Sequence, residues 1–252
     1  MNTCLPVNDP YAVVVNSRSG LMQAHIDNPE LEVAFLPEYD DVPADMQAVM
    51  NQLAELNVQF KFKIDYWGAE YANGNVFNFQ ENDKYVDEHK WCSNIRHFLT
   101  AQLNISKVLA MRFARWLLVE MQRYLKLFGN KSSFAVFTTN SKNLEMHSHG
   151  QYWHNDVNSY AGIKNYVGGG TLYAPKKTSR ENKDYDNALP LSTKNCIYKI
   201  DGRYSLYQLK NQGVNLHKGG VRDDGEVSAV HKLPVNDKSS DARIILLFGL
   251  RV

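Results

Sequence analysis

Apolar positions recur at helical spacing in two stretches of the first half of the chain. In "VPADMQAVMNQLAEL" (42–56), Met46, Val49, Met50 and Leu53 lie three and four residues apart behind a proline, which predicts an amphipathic helix. In "SKVLAMRFARWLLVEMQRYLKLFG" (106–129), Val108, Met111, Leu118, Met121 and Leu125 form one stripe, Ser106 can cap the start and Gly129 can end it. A further helix is expected near 84–101, and "FKFKID" (60–65) alternates as a short strand does.

After Gly129 the period changes. "SSFAVFTTN", "SYAGIKNYV", "TLYAP", "CIYKI", "YSLYQL", "GVNLHKG", "VSAVHKL" and "ARIILLFGLRV" are short β-branched or aromatic runs divided by Gly, Asn, Asp, Lys and Pro. Such a succession predicts a double-sheet jelly roll, a double-stranded β-helix, behind a mainly helical layer. The expected class is therefore α+β, with residues 1–130 as a mainly helical region packed on a barrel formed by 131–252. The polar segment 176–195 reads as a surface loop or lid.

Composition narrows the function. Lys plus Arg is 28 against 27 Asp plus Glu, so no bulk attraction to nucleic acid or an anionic membrane is expected. Cys4, Cys92 and Cys196 are scattered and show no C-x-x-C spacing, which suggests neither a disulfide framework nor a thiolate zinc site. No run reaches the length of a membrane span, and the start lacks a signal-peptide pattern, so a cytoplasmic location is expected. No G-x-S-x-G elbow, P-loop or dinucleotide-binding glycine turn occurs.

Chemistry concentrates in "WHNDVNSYAGIKNYVGGGTLYAP" (153–175). Two imidazoles and one carboxylate on one face suit a divalent iron that keeps positions open for substrate and dioxygen. On a strand, His154 and Asp156 would project to the same side. A third ligand can come from His231 in "EVSAVHKLPV", on a later predicted strand. Arg243 opens the apolar run "RIILLFGL", where a buried guanidinium calls for an anionic partner and its planar fork matches a carboxylate.

This order, His-x-Asp, then a distal His, then an Arg on the next strand, resembles that of iron(II)- and 2-oxoglutarate-dependent oxygenases. "IKNYVGGGTLYAP" is similar to the strand, glycine turn and strand that follow His-x-Asp in their prolyl-hydroxylase-like members. The pattern "HNDV", "YVGGGT", "VHK", "ARIILL" over roughly 133–252 more closely resembles a bacterial family of domains of unknown function. The resemblance implies that His154, Asp156 and His231 bind iron(II) and that Arg243 holds the far carboxylate of 2-oxoglutarate as co-substrate. Tyr166 is the candidate second donor to it. The implied activity is hydroxylation of a small-molecule or peptide substrate. Where the oxygenases often carry Ser or Thr two places after the arginine, this chain has Ile245.

A second reading is a non-catalytic metal-binding protein. His147 and His149 in "EMHSHGQYWHND" resemble the first motif of a cupin. There, His147, His149 and His154 would hold zinc, manganese or nickel, and Asp156 would accept a hydrogen bond from behind the ligands. No glutamate follows at the cupin distance. His217, in "NLHKGG", reads as structural packing, and Gly168 to Gly170 as a turn where a side chain would obstruct or positive φ is needed.

Overall fold

The computed structural model describes residues 9–37, 42–67, 75–79, 86–140, 153–154, 156, 158–174, 197–198, 207–208, 213–219, 230–232 and 242–250. Among them lie four helices, α1 (Arg18–Asp27), α2 (Ala44–Glu55), α3 (Glu88–Leu103) and α4 (Lys107–Leu125). The first part of the chain also supplies strands β1 (Ala12–Val14), β2 (Val33–Leu36), β3 (Lys61–Tyr66) and β4 (Asn75–Phe79). The remaining strands are β5 (Ser133–Asn140), β6 (Trp153–His154), β7 (Tyr160–Val167), β8 (Leu172–Ala174), β9 (Ile197–Tyr198), β10 (Tyr207–Gln208), β11 (Val214–Lys218), β12 (Val230–Lys232) and β13 (Arg243–Leu250). Every strand-like run read from the sequence after Gly129 contains one of these.

The helices start where side chains can satisfy free amides. Ser17, Asp87 and Ser106 accept from Gly20, Lys90 and Leu109 at the starts of α1, α3 and α4. The chain leaves α4 through a 3-10 turn at Lys126–Phe128 and reaches positive φ at Gly129, as its sequence suggests. Leu118, Met121 and Leu125 of the expected stripe on α4 are buried, and the buried face is wider than that stripe. Ala110, Phe113, Leu117, Met121 and Tyr124 are fully buried, whereas Val108, in the opening turn, is 79% exposed.

The chain is mixed α/β, with one large and one small sheet. The large sheet runs β1-β2-β11-β7-β13-β5-β3-β4, and only the β1–β2 pair is parallel. The small, antiparallel sheet runs β10-β8-β12-β6-β9. From β5 onward the chain moves back and forth between them: β5, β7, β11 and β13 join the large sheet, and β6, β8, β9, β10 and β12 the small one. Strands from both sides of residue 130 pair directly, β3 with β5 and β2 with β11.

The two faces of the large sheet bury different things. Ala34 and Leu36, Leu216, Leu246, Phe248 and Phe137 pack into the main core with the helices. The alternate residues Val33 and Phe35 pack with Tyr173 of the small sheet instead. A period of two along each strand thus separates a helix-facing core from a layer between the sheets. β2 is buried on both faces, so its residues read as a continuous apolar run rather than an alternating one.

One buried base makes the fold sensitive to acid. His25 on α1 is 3% exposed, with its ring nitrogens against the carbonyls of Leu31 and Leu216. Burial outweighs those carbonyls and lowers its pKa from 6.5 to about 4. The unfolded chain therefore takes up this proton below about pH 6.5, while the folded chain resists until about pH 4. Its contribution is complete above pH 6.5 and is lost as pH falls towards 4, in total about 3 kcal/mol. Urea unfolding at pH 7 and pH 4.5 should show that loss, and His25→Gln should remove most of the difference.

Candidate metal centre

Asp156, His217 and His231 converge between the sheets. His217 comes from β11 of the large sheet, His231 from β12 of the small sheet, and Asp156 lies just beyond the end of β6. Asp156 Oδ2 is 2.9 Å from His217 Nε2 and 3.7 Å from His231 Nε2. One ligand atom from each residue lies within 4.8 Å of the others. Ligand bonds of about 2.1 Å at right angles put donor atoms about 3 Å apart, a spacing that Asp156 and His217 already have and that His231 would reach by a small inward movement. Both imidazoles are buried, 0% exposed for His217 and 3% for His231, and their rings lie 4.5 Å apart.

Tyr173 on β8 backs the two histidines. Its ring stacks on His231 at 5.3 Å and meets His217 at the same distance. Its hydroxyl is 3.1 Å from His217 Nδ1 and accepts a hydrogen bond from Asn215 Nδ2, which also lies 3.0 Å from that nitrogen. Burial first, and the Asp156 carboxylate next, push the Tyr173 phenol well above its usual pKa. Tyr173 therefore stays a neutral phenol.

Glycine lets the Asp156 segment approach. A side chain at Gly219 would stand 2.2 Å from the carbonyl oxygen of Asn158 and 2.3 Å from that of Asp156. Both obstacles are backbone, so the carboxylate's segment would have to shift. Gly219→Ala is expected to cost about 1–3 kcal/mol and to weaken metal binding. A melting temperature and metal affinity equal to wild type would show that the segment does not depend on this approach.

Arg243, at the start of β13, is 4% exposed. Its Nη2 donates to Thr171 Oγ1 at 3.2 Å, while Nε and Nη1 have no partner among the described residues. Burial pulls its pKa down to about 10, which leaves it charged at neutral pH. Thr171 immediately precedes β8, two residues before Tyr173, so the guanidinium is tied to the strand that backs the cluster. Gly168 serves this placement. It has φ +88°, and a side chain there would come within 2.7 Å of Arg243 Cγ. The glycine turn is thus a crossover from the large sheet to the small one, tight against Arg243.

The sequence-derived residues divide as follows. Asp156 and His231 are brought to one place, and Arg243 is held at the start of β8 through Thr171. His154 lies opposite His231 in the β6–β12 register, and its side chain falls outside the described residues, as do His147 and His149 and the 176–195 loop. Tyr166 is not brought to the cluster: its hydroxyl donates to Glu120 Oε1 at 3.2 Å, and its ring packs on Trp116 of α4. It belongs to the helix-facing core, so a carboxylate beside Arg243 is out of its reach. Thr171 stands there instead, a hydroxyl supplied from the glycine crossover rather than from position 245. His217, read from the sequence as packing, is a member of the cluster. Its available signal was the alternation Val214, Asn215, Leu216, His217, which puts two polar residues on one face of a buried strand.

No protein-family model matches the sequence, and no curated protein does. Solved structures similar to the chain include the dioxygenase for auxin oxidation from Arabidopsis thaliana as a 2-oxoglutarate complex, at 10% identity and TM-score 0.42, covering 98% of this chain and 92% of that one. IDO from Bacillus thuringiensis aligns at 10% identity and TM-score 0.44, over 94% and 100% of the two chains. The Fe(II)/α-ketoglutarate-dependent dioxygenase TqaL aligns at 12% identity and TM-score 0.43, over 92% and 85%. At such identity and overlap, the chemistry assigned to this chain rests on its own residues.

Proposed function

We propose that the chain is an iron(II)- and 2-oxoglutarate-dependent dioxygenase acting on a small-molecule or peptide substrate. The alternation of β5 to β13 between two sheets supports a double-stranded β-helix formed by residues 131–252 and backed by the helices of 1–130. Asp156 and His231 are common to the ligand set read from the sequence, His154, Asp156 and His231, and to the observed cluster. Two imidazoles and a carboxylate suit iron(II) and leave three positions open. Bound iron(II) supplies a chelation point for the keto acid and activation of dioxygen, so that C–H hydroxylation is coupled to release of succinate and carbon dioxide.

Arg243 is the observation that carries this reading. A buried guanidinium with two nitrogens that find no partner among the described residues is costly unless an anion completes it. The Nη1–Nη2 edge presents two parallel N–H donors as a bidentate seat for a carboxylate, with the second hydrogen of Nη2 kept for Thr171, whose own hydroxyl can donate a third hydrogen bond. A metal-storage or metal-sensing protein on the same scaffold has no use for that seat. Arg243→Gln is therefore expected to leave metal affinity within about threefold of wild type and to weaken 2-oxoglutarate binding by about 100-fold, as befits a lost charge-assisted pair. Calorimetry on the manganese(II)-loaded protein checks this. Equal 2-oxoglutarate affinity in the two proteins would remove the oxygenase reading's main support.

A further inference from the structure

We propose that the outer face of α4 is a docking surface for an acidic amphipathic helix of a partner protein. The inference is independent of the metal centre. Lys107, Arg112, Arg115, Arg123 and Lys126 are all exposed along this helix and the turn that ends it. Glu120, the one acidic residue of α4, points the other way, 1% exposed and paired with Lys164 in the core. Residues 88–126, which span α3 and α4, hold seven Lys or Arg against two Asp or Glu, so they contribute +5 to a chain of net charge +1 and leave the rest at −4.

The stability of the helix does not account for this face. Lys107 opens α4, where the positive end of the helix dipole disfavours a cation and an acid would suit. Arg112 with Arg115, and Arg123 with Lys126, are like charges three residues apart, a spacing at which they repel. Asp45 of α2 offsets the first pair, 3.0 Å from Arg112, and Glu120 Oε2 lies 3.6 Å from Arg123. A helix charged for its own stability interleaves both signs at four-residue spacing, whereas α4 places no acid on its outer face.

Spacing and charge together select the occupant. Val108, Arg112, Arg115, Val119, Gln122 and Lys126 follow one another at alternating steps of four and three, the seam along which a second helix packs. Val108 and Val119, 79% and 47% exposed, offer that helix apolar contact, and the arginine forks between them match carboxylates. At 19 residues α4 is about 28 Å long, so a partner helix of like length keeps its negative charge on this face. A nucleic acid or an anionic bilayer extends past it and meets a remainder of net charge −4. The outer face of α4 also exposes no Trp, Phe or Leu of the kind that enters a bilayer.

The test is fluorescence anisotropy of a labelled, glutamate-rich amphipathic peptide of about 20 residues, titrated with the full chain at low salt. The wild type is expected to bind it, and to bind more weakly as salt is raised through the physiological range. Arg115→Glu with Lys126→Glu should weaken binding by about tenfold or more, and Gln52→Glu, exposed on α2, by less than about twofold. Circular dichroism checks that the variants fold. Should the double variant fail to fold, Lys107→Glu, which suits the helix dipole, still decides, with binding weakened by about threefold. No binding by the wild type, or unchanged binding by the α4 variants, would overturn the proposal. Tighter binding of a single-stranded oligonucleotide or of phosphatidylserine vesicles than of the peptide would overturn it as well, in favour of a phosphate-bearing partner.

Discussion

Glu120→Ala is expected to cost about 3–5 kcal/mol, the largest loss of stability for any single substitution considered, because it strands buried cations. Glu120 on α4 is 1% exposed, and its Oε1 lies 2.6 Å from Nζ of Lys164, which is fully buried on β7. The same oxygen accepts from Tyr166, and Oε2 lies 3.6 Å from both Arg18 and Arg123. Without this carboxylate, Lys164 loses its 2.6 Å ion pair, for which the Tyr166 and Tyr124 rings, 4.8 and 5.9 Å away, compensate weakly. Removing both charges should be far milder than removing one. Glu120→Leu with Lys164→Met is expected to recover most of the loss in chemical denaturation. A Glu120→Ala protein within about 1 kcal/mol of wild type would contradict a buried, mutually dependent pair.

His231→Ala has the largest expected functional effect, a loss of metal affinity of more than about 100-fold. His231 is the imidazole on which the sequence pattern and the observed cluster agree. It sits in the middle of the small sheet, between β6 and β8, and its ring packs against those of both Tyr173 and His217, which also meet each other. No other described side chain can take its place, since His217 is anchored to the large sheet. Metal titration followed by tryptophan fluorescence or calorimetry measures the loss, with circular dichroism to confirm that the variant is folded. Full metal retention would sink the site assignment.

The period-two runs after Gly129 made the strands legible, and Ser106 and Gly129 marked the ends of α4, because both signals are local. Which face of a strand meets which layer was not legible. β7 buries residues on both faces, so nothing in "IKNYV" says that Tyr166 points to the helices. Pairing settles it: Lys164 stands opposite Leu246, a residue of the helix-facing core, and Tyr166 shares that core. His217 was obscured for the same reason, since its role depends on a partner, Asp156, that reaches it only after the chain has crossed between sheets. β1 and β2, three and four residues long, were too short to show a period. Arg243 was legible because a lone cation opening an apolar strand demands an explanation in any fold.

In the proposed function, this cluster and Arg243 together form a seat for iron(II) and 2-oxoglutarate. Anaerobic addition of iron(II) to the metal-free protein, then of 2-oxoglutarate, tests it most directly. A visible charge-transfer band from the chelated keto acid should appear, and should decay with release of succinate once air is admitted. Tight iron(II) binding without that band, or tight binding of zinc(II) alone, would contradict it.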